Sequence, residues 1–298
     1  FLYLAPGLLL ASLAILARHR KEVRVIHAHG LVASFVAKVC SRLFRKRAIM
    51  CIHSIYKFES RPFFRRIVRW TLASFDSVFA LAEVSRRDIL LTGLSPAKVQ
   101  LYGTPVDHWF FVPKDKMDAK TRLGIGNSFV VLFVGRLIEK KGIKVLLEVS
   151  KAVNQGAFFI IVGEGPLATE ISSVASNQGN LLFAGKVSYD ELPAYYSAAD
   201  VVVVPSQYDE GYSRVVLEAM SCGTPVVAAN KGCLPDIVNQ RVGIVVDPTV
   251  ENIIQVIGNL RNNPTYLSSL SQACREYVIE RYSPEEAFKL FEESYVRK

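Results

Sequence analysis

The sequence predicts an α/β protein built as two doubly wound, parallel-sheet domains. Three observations carry this. Short β-type runs alternate with helical stretches along the chain. Several of those runs, FVVLFVG (129–135) above all, are continuously apolar, the pattern of strands covered on both faces. The 298 residues, half of them hydrophobic, suffice for two cores at about 150 residues per domain. With 21% charged residues, 18 Gly and 13 Pro, the composition excludes a disordered, collagen-like or small disulfide-bonded chain.

Residues 1–17 (FLYLAPGLLLASLAILA) are almost wholly apolar. No basic segment precedes them and no small-residue cleavage site follows, which argues against a secretory leader. The run is slightly short for a membrane span and contains Pro6 and Gly7. A buried helix cut from a longer chain is expected, with membrane-embedded or interfacial insertion as the alternative. VRVIHAHG (23–30) then reads as a strand, 31–45 as a helix, RAIMCIHS (47–54) as a strand, 61–75 as a helix, SVFALA (77–82) as a strand, 84–92 as a helix and KVQLYG (98–103) as a strand. Residues 103–128, rich in turn formers, read as the linker. The second half continues with strands at 129–135, 158–163, 180–185, 200–206, 224–229 and 242–248. Helices fall near 141–153, 167–177, 189–198 and 213–222, and three more close the chain near 250–261, 264–281 and 284–297. The expected division is 1–112, 113–283 and a closing segment 284–298. In doubly wound folds ligands bind beyond the C-terminal strand ends, so the cleft between two facing domains is the expected site.

Charge is uneven. Residues 1–112 carry 17 Lys and Arg against 6 Asp and Glu, whereas residues 113–298 carry 19 against 21. The two halves are expected to meet different partners. Five cysteines without a C-x-x-C pair fit a reducing compartment and argue against a disulfide framework or zinc ribbon.

The strongest chemical signal is PSQYDEGYSRVVLEAMSCGTPVVAANKGCLPDIV (205–238). Glu210 falls in the loop leaving a strand, and Glu218 lies eight residues on, inside the next helix. Gly211, Tyr212 and Ser213 between them offer free backbone N–H groups at a helix N-terminus, suited to a phosphate. Glu218 would grip hydroxyls, most simply a ribose diol, and Glu210 at the loop tip would take sugar hydroxyls. Ordinary surface acids with Ser213 as a helix cap are the plain competitor.

In FVGRLIEKKGIKVLLE (133–148), Arg136 leaves the end of a strand and Lys141 starts the next helix. Together they make a diphosphate clamp that offsets charge on a leaving group without a metal. Solvated loop charge is the alternative. Gly163-Glu164-Gly165-Pro166-Leu167-Ala168 matches a dinucleotide fingerprint. Glu164 would repel a pyrophosphate, so a tight turn with Pro166 opening the helix is the better reading.

His27 and His29 share one strand face, and His53 ends the following strand. A zinc triad is imaginable, but no acidic partner is evident, and no metal is expected. His53 could contact a sugar or acceptor hydroxyl, with a structural histidine the equal competitor. Residues 42–70 interleave nine Lys and Arg with aromatics. Phe63, Phe64, Ile67 and Trp70 recur at helical spacing opposite Arg65 and Arg69, as in a helix lying on an anionic membrane surface. The competing reading is a solvated face over a core stripe. No nucleic-acid module is recognisable.

HAHG (27–30), GTPVDHWFFVP (103–113), VGRLIEKKG (134–142), VGEGP (162–166), ADVVVVPS (199–206), Glu210-x7-Glu218 and EAMSCGTPVVA (218–228) together resemble the retaining nucleotide-sugar glycosyltransferases of family 4, with the GT-B fold. The resemblance covers nearly the whole chain. It implies a nucleotide-diphosphate sugar donor held mainly by the second domain, and no metal or other cofactor. Arg136 and Lys141 would bind the diphosphate, with Gly135 in the same loop. Glu210 would hold the transferred sugar, helped by the Gly211–Ser213 backbone; Glu218 would hold the ribose; Val187 and Leu192 would flank the base. His53 would approach the donor sugar from the first domain, and the last helix would return to that domain.

The resemblance also implies an initial strand and Gly-rich loop upstream of Phe1, hence an incomplete first domain. Tyr212-Ser213-Arg214 stands in place of the commoner Phe-Gly-Leu or Phe-Pro-Leu. The expected activity is sugar transfer with retention to a lipid-linked or cell-envelope hydroxyl, by a cytoplasmic enzyme peripheral on the inner membrane face. A non-catalytic sugar-nucleotide or membrane-surface binding module and a GT-B epimerase are the alternatives.

Overall fold

A computed structural model of the chain describes residues 4–153 and 155–296. It divides into two compact units: Phe1–Thr104 with Ala287–Lys298, and Pro105–Glu286.

In the first unit, α1 (Leu4–Arg18) is followed by β1 (Val25–His29), α2 (Leu31–Phe44), β2 (Arg47–Ile52), α3 (Pro62–Leu72), β3 (Ser77–Ala80), α4 (Glu83–Leu90) and β4 (Val99–Leu101). The four strands pair in parallel in the order β1-β2-β3-β4. The strands β2 and β3 are buried almost throughout, as their apolar runs require. Their core includes Met50, Ile52, Phe58, Leu72 and Phe75.

The expected buried N-terminal helix is corrected here. Leu16 is buried and Leu9 and Leu13 pack beside it on α2, but Leu8, Leu10 and Ile15 are exposed. A helix apolar all round can turn only one face to a single neighbour. Residues 1–3 of that expectation lie outside the described residues. Helix α3 also departs from expectation. Phe64 turns inward against Phe58 and Tyr56, whereas Phe63, Ile67 and Trp70 are exposed. The apolar stripe is thus split between core and surface.

The second unit runs α5 (Lys116–Arg122), β5 (Phe129–Val134), α6 (Ile143–Ala152), β6 (Ala157–Val162), α7 (Ala168–Ser176), β7 (Leu181–Gly185), α8 (Leu192–Ala198), β8 (Val201–Val204), α9 (Arg214–Ser221), β9 (Val226–Ala229), α10 (Leu234–Ile237), β10 (Gly243–Val246), α11 (Val250–Asn262) and α12 (Pro264–Tyr282). Its six parallel strands lie in the order β10-β9-β8-β5-β6-β7. The first strand of the unit, β5, therefore sits between β8 and β6, and chain order reverses beside it. Such a switch point leaves a crevice beyond the C-terminal ends of the central strands.

The expected linker at 103–128 is instead packed into this unit. Phe111 is fully buried. Its carbonyl accepts from Ser221 Oγ at 2.7 Å and Arg275 Nη1 at 3.0 Å, and Asp115 caps α5 through the Asp118 N–H. Aromatic anchors outweigh the loop-like composition, so the division falls at Thr104/Pro105 and not after residue 112. The last helix, α13 (Pro284–Val296), starts in the second unit, and from Ala287 it belongs to the first. There Phe291 packs on Phe79 and Tyr102, with ring centroids 5.0 and 4.7 Å away.

Candidate functional site

Two loops leave the switch point side by side, 135–142 after β5 and 205–213 after β8. Backbone contacts register them. Gln207 N–H donates to Lys140 O at 2.8 Å. Gly142, at φ 75°, has no room for a side chain: a Cβ would stand 1.9 Å from Pro205 O. The positive φ and the close approach together make glycine the residue that holds Lys141 against the second loop.

The glycines of the dinucleotide-like stretch have the same kind of role. A Cβ on Gly163 would lie 1.9 Å from Gly135 O, and Leu137 N–H donates to Glu164 O at 2.9 Å. They seat the Arg136 loop. The turn reading stands, except that Pro166 lies ahead of α7 and does not open it.

Beyond these loops lies a hollow of about 360 Å³ lined by Gly135, Arg136, Lys141, Leu192, Tyr212, Ser213 and Glu218, seven of the residues singled out in the sequence. Its floor is the apolar end of β5, with Phe133 and Val134. The first turn of α9, with its free N–H groups and positive dipole end, opens onto it. Ser213 occupies the N-cap position of α9 but makes no side-chain cap bond, so the competing reading of Ser213 as a helix cap is not met. Arg214 also lines the hollow, giving three cations in one concavity.

Glu218 is 5% exposed and accepts the Tyr196 hydroxyl at 2.8 Å. Burial raises its carboxyl above the usual range, opposed by the Tyr196 hydrogen bond and the Arg214 charge. Its position in the wall of the hollow suits acceptance of a hydroxyl donor.

Glu210 differs from expectation. It is 3% exposed and does not line the hollow. Its Oε1 takes Lys141 Nζ at 2.5 Å and the Ser206 hydroxyl, and its Oε2 takes the Tyr208 hydroxyl at 3.0 Å. The turn at 231–233 clamps its backbone, with Cys233 N–H donating to Glu210 O at 2.8 Å. The loop folds inward because a buried carboxylate needs these partners. Val187 and Gly211, half-buried, do not line the hollow either.

Sequence reasoning passed over Tyr189, Tyr196, Ser206, Tyr208 and Arg214. Arg214 carried a readable signal, being the first residue of a helix already assigned to a phosphate. The Tyr196 contact, spanning 22 residues, carried none.

His53 belongs to the first unit, where it is exposed and its Nε2 lies 2.9 Å from His29 Nδ1. Partial desolvation by its surroundings, then the His29 charge, lowers its pKa. His27 is pushed down to about 4 by burial and by His29 and His53. Burial pushes the Cys51 thiol up to about 12.

The two parallel-sheet units, one carrying a cationic hollow at its switch point, have the GT-B fold of solved glycosyltransferases. Residues 115–281 match the family model "Glycosyl transferases group 1" and residues 1–110 match "Glycosyltransferase Family 4". The chain belongs to this glycosyltransferase family.

It is 29% identical over 293 residues to the GDP-mannose-dependent alpha-(1-6)-phosphatidylinositol monomannoside mannosyltransferase of Mycolicibacterium smegmatis, covering 93% of this chain and 70% of that protein. It is 26% identical over 279 residues to an uncharacterized glycosyltransferase of Methanocaldococcus jannaschii, covering 87% and 71%. Among solved structures, Anabaena HepE in complex with UDP superposes with a TM-score of 0.85 at 21% identity, covering 95% of this chain and 81% of that one. No helix among the described residues is long and apolar enough to cross a membrane.

Proposed function

We propose that the chain transfers a hexose from a nucleotide diphosphate to a hydroxyl of a lipid-linked or cell-envelope glycan, with retention at the anomeric carbon. One observation carries the reading: Arg136, Lys141, the α9 N-terminus and Glu218 converge on one hollow of 360 Å³. Arg136 and Lys141 bind the diphosphate, with Gly135, Tyr212 and Ser213 shaping its seat. Glu218 accepts the ribose hydroxyls, Leu192 flanks the base, and Glu210 acts through Lys141, whose ammonium it holds at the edge of the hollow.

The acceptor oxygen attacks the anomeric carbon from the face that the diphosphate leaves. The anomeric carbon–oxygen bond to phosphate breaks, and the acceptor proton passes to a phosphate oxygen. The two cations stabilise the charge gathering on that leaving group. No metal or other cofactor enters this scheme. Similarity to a GDP-mannose-dependent mannosyltransferase makes GDP-mannose the first donor to examine.

The enzyme is read as peripheral on the inner face of the cell membrane. Phe63 is 77% exposed, and Ile67 and Trp70 are exposed beside it, with Arg66 and Arg69 on the same solvent side of α3.

A product assay over a panel of UDP-, GDP- and ADP-sugars tests the catalytic reading. Transfer from one donor with retained configuration supports it. Nucleotide binding without turnover by a version carrying the relatives' full length overturns it. Flotation with anionic and neutral vesicles tests the membrane reading: binding indifferent to lipid charge overturns it.

A further inference from the structure

The C-terminal ends of β1 and β2 carry a cluster that the sugar-transfer scheme leaves largely unused. His27 and His29, two apart on β1, project to one face of the sheet, and the parallel register sets His29 beside Cys51. One donor atom from each of His27, His29 and Cys51 lies within 4.8 Å of the others, and His27 Nε2 is 3.1 Å from Cys51 Sγ. Around a tetrahedral Zn²⁺, with bonds of about 2.0 Å to nitrogen and about 2.3 Å to sulfur, donor atoms stand roughly 3.3–3.6 Å apart. The His27–Cys51 separation is already close to that spacing, and the widest must close by up to about 1.5 Å, which rotation of the exposed His29 side chain can supply.

Neighbouring contacts hold the rings in place. The Tyr295 hydroxyl meets His27 Nδ1 at 2.9 Å, which turns Nε2 toward Cys51. His53 Nε2 meets His29 Nδ1 at 2.9 Å and leaves the other ring nitrogen available. Hydrogen bonding of the far imidazole nitrogen is the usual way in which a metal-bound histidine is oriented.

We propose that His27, His29 and Cys51 form a site for one divalent cation of the Zn²⁺ class, oriented through Tyr295. Two imidazoles and a thiolate select Zn²⁺ or Co²⁺ over Mg²⁺ and Ca²⁺, which require oxygen donors. Binding forms one metal–sulfur bond and releases the Cys51 thiol proton to solvent; no oxidant or reductant takes part. His29 is exposed, so the fourth position opens to water. None of the three residues lines the hollow of the second unit. The metal is not assigned to the transfer reaction.

The test titrates the tag-free, metal-stripped chain with Co²⁺. Saturation at one equivalent is expected, with a thiolate-to-cobalt charge-transfer band that Zn²⁺ abolishes. Cys51→Ser removes the band. His27→Gln weakens binding more than tenfold. Tyr295→Phe, which removes no ligand, weakens it about 10–100-fold. His19→Gln, an exposed residue paired with Glu22, leaves binding unchanged. Circular dichroism of the metal-free proteins establishes that each variant is folded. A wild-type chain without the band at one equivalent overturns the proposal, as does a band that survives Cys51→Ser or an affinity indifferent to His27→Gln.

Discussion

Lys141 and Glu210 stand 69 residues apart in sequence, yet their charged atoms meet at 2.5 Å, with the Glu210 side chain nearly buried. Lys141 also lines the hollow. It therefore has two anionic partners to serve, the carboxylate behind it and whatever anion enters in front. Lys141→Ala is expected to lower kcat/KM about 10²–10³-fold, as loss of one preorganised charge-stabilising donor does. It is also expected to lower the Tm, because Glu210 loses its cation. Donor turnover measured below the variant's unfolding transition separates the two effects. An unchanged kcat/KM removes Lys141 from the site.

Glu218→Gln keeps the shape of the wall but removes its charge. If the carboxylate grips ribose hydroxyls, kcat/KM falls by about 1.5–3 kcal/mol, or roughly ten- to 150-fold. Binding of the free nucleoside diphosphate, followed by calorimetry, weakens by a similar factor. Tyr196→Phe gives a smaller loss in the same direction, since the Tyr196 hydroxyl orients this carboxylate.

Asp200 anchors the start of the second unit. Its carboxylate accepts Lys116 and Lys120 Nζ at 2.9 and 2.8 Å and the Val130 N–H at 2.8 Å. Burial pushes its pKa up, but Lys116, Lys120 and the Val130 hydrogen bond outweigh this and hold it below 3.8. A depressed folded-state pKa means that the unfolded chain binds the proton more tightly. The stabilisation is therefore present above pH 3.8 and is lost as pH falls through the folded-state value. Asp200→Asn leaves the buried Lys120 unpaired and should cost about 3–5 kcal/mol at neutral pH. Denaturant titrations of both proteins at pH 7 and in the acid limb check this. Curves that stay parallel below pH 3.8 count against it.

Gly142→Ala forces a Cβ into Pro205 O at a positive φ. The left-handed conformation alone costs roughly 1–2 kcal/mol, and relief of the contact must part the two loops. A lowered Tm with a raised donor KM is expected. A variant with wild-type KM would show that the loops need not touch for donor binding.

The strand and helix pattern was legible because both sheets are parallel and doubly covered. Runs such as 129–134 and 201–204 are apolar throughout, and the helices between them could not be mistaken for strands. Arg136, Lys141 and Ser213 were legible for a related reason: each lies near a strand end or helix start, where topology fixes its place, and Glu218 follows in the second turn of α9. What failed depended on contacts distant in sequence. Phe111 reads as loop until Ser221 and Arg275 bind its carbonyl. Glu210 reads as a loop tip until Lys141, Ser206 and Tyr208 surround it. The choice between Phe63 and Phe64 depended on the rings of Tyr56 and Phe58, which helical spacing alone does not reveal.

The last helix has a consequence for synthesis. Phe291 and Tyr295 complete the first unit from the far end of the chain, after all of the second unit. Domains generally complete in the order of their synthesis, but the earlier body here lacks α13 until the whole of the second unit has been made. The earlier body must remain unfinished through roughly 180 residues of translation, about 10–40 s at 5–20 residues per second. Through that interval the faces of Phe79 and Tyr102 that Phe291 covers lack their partner.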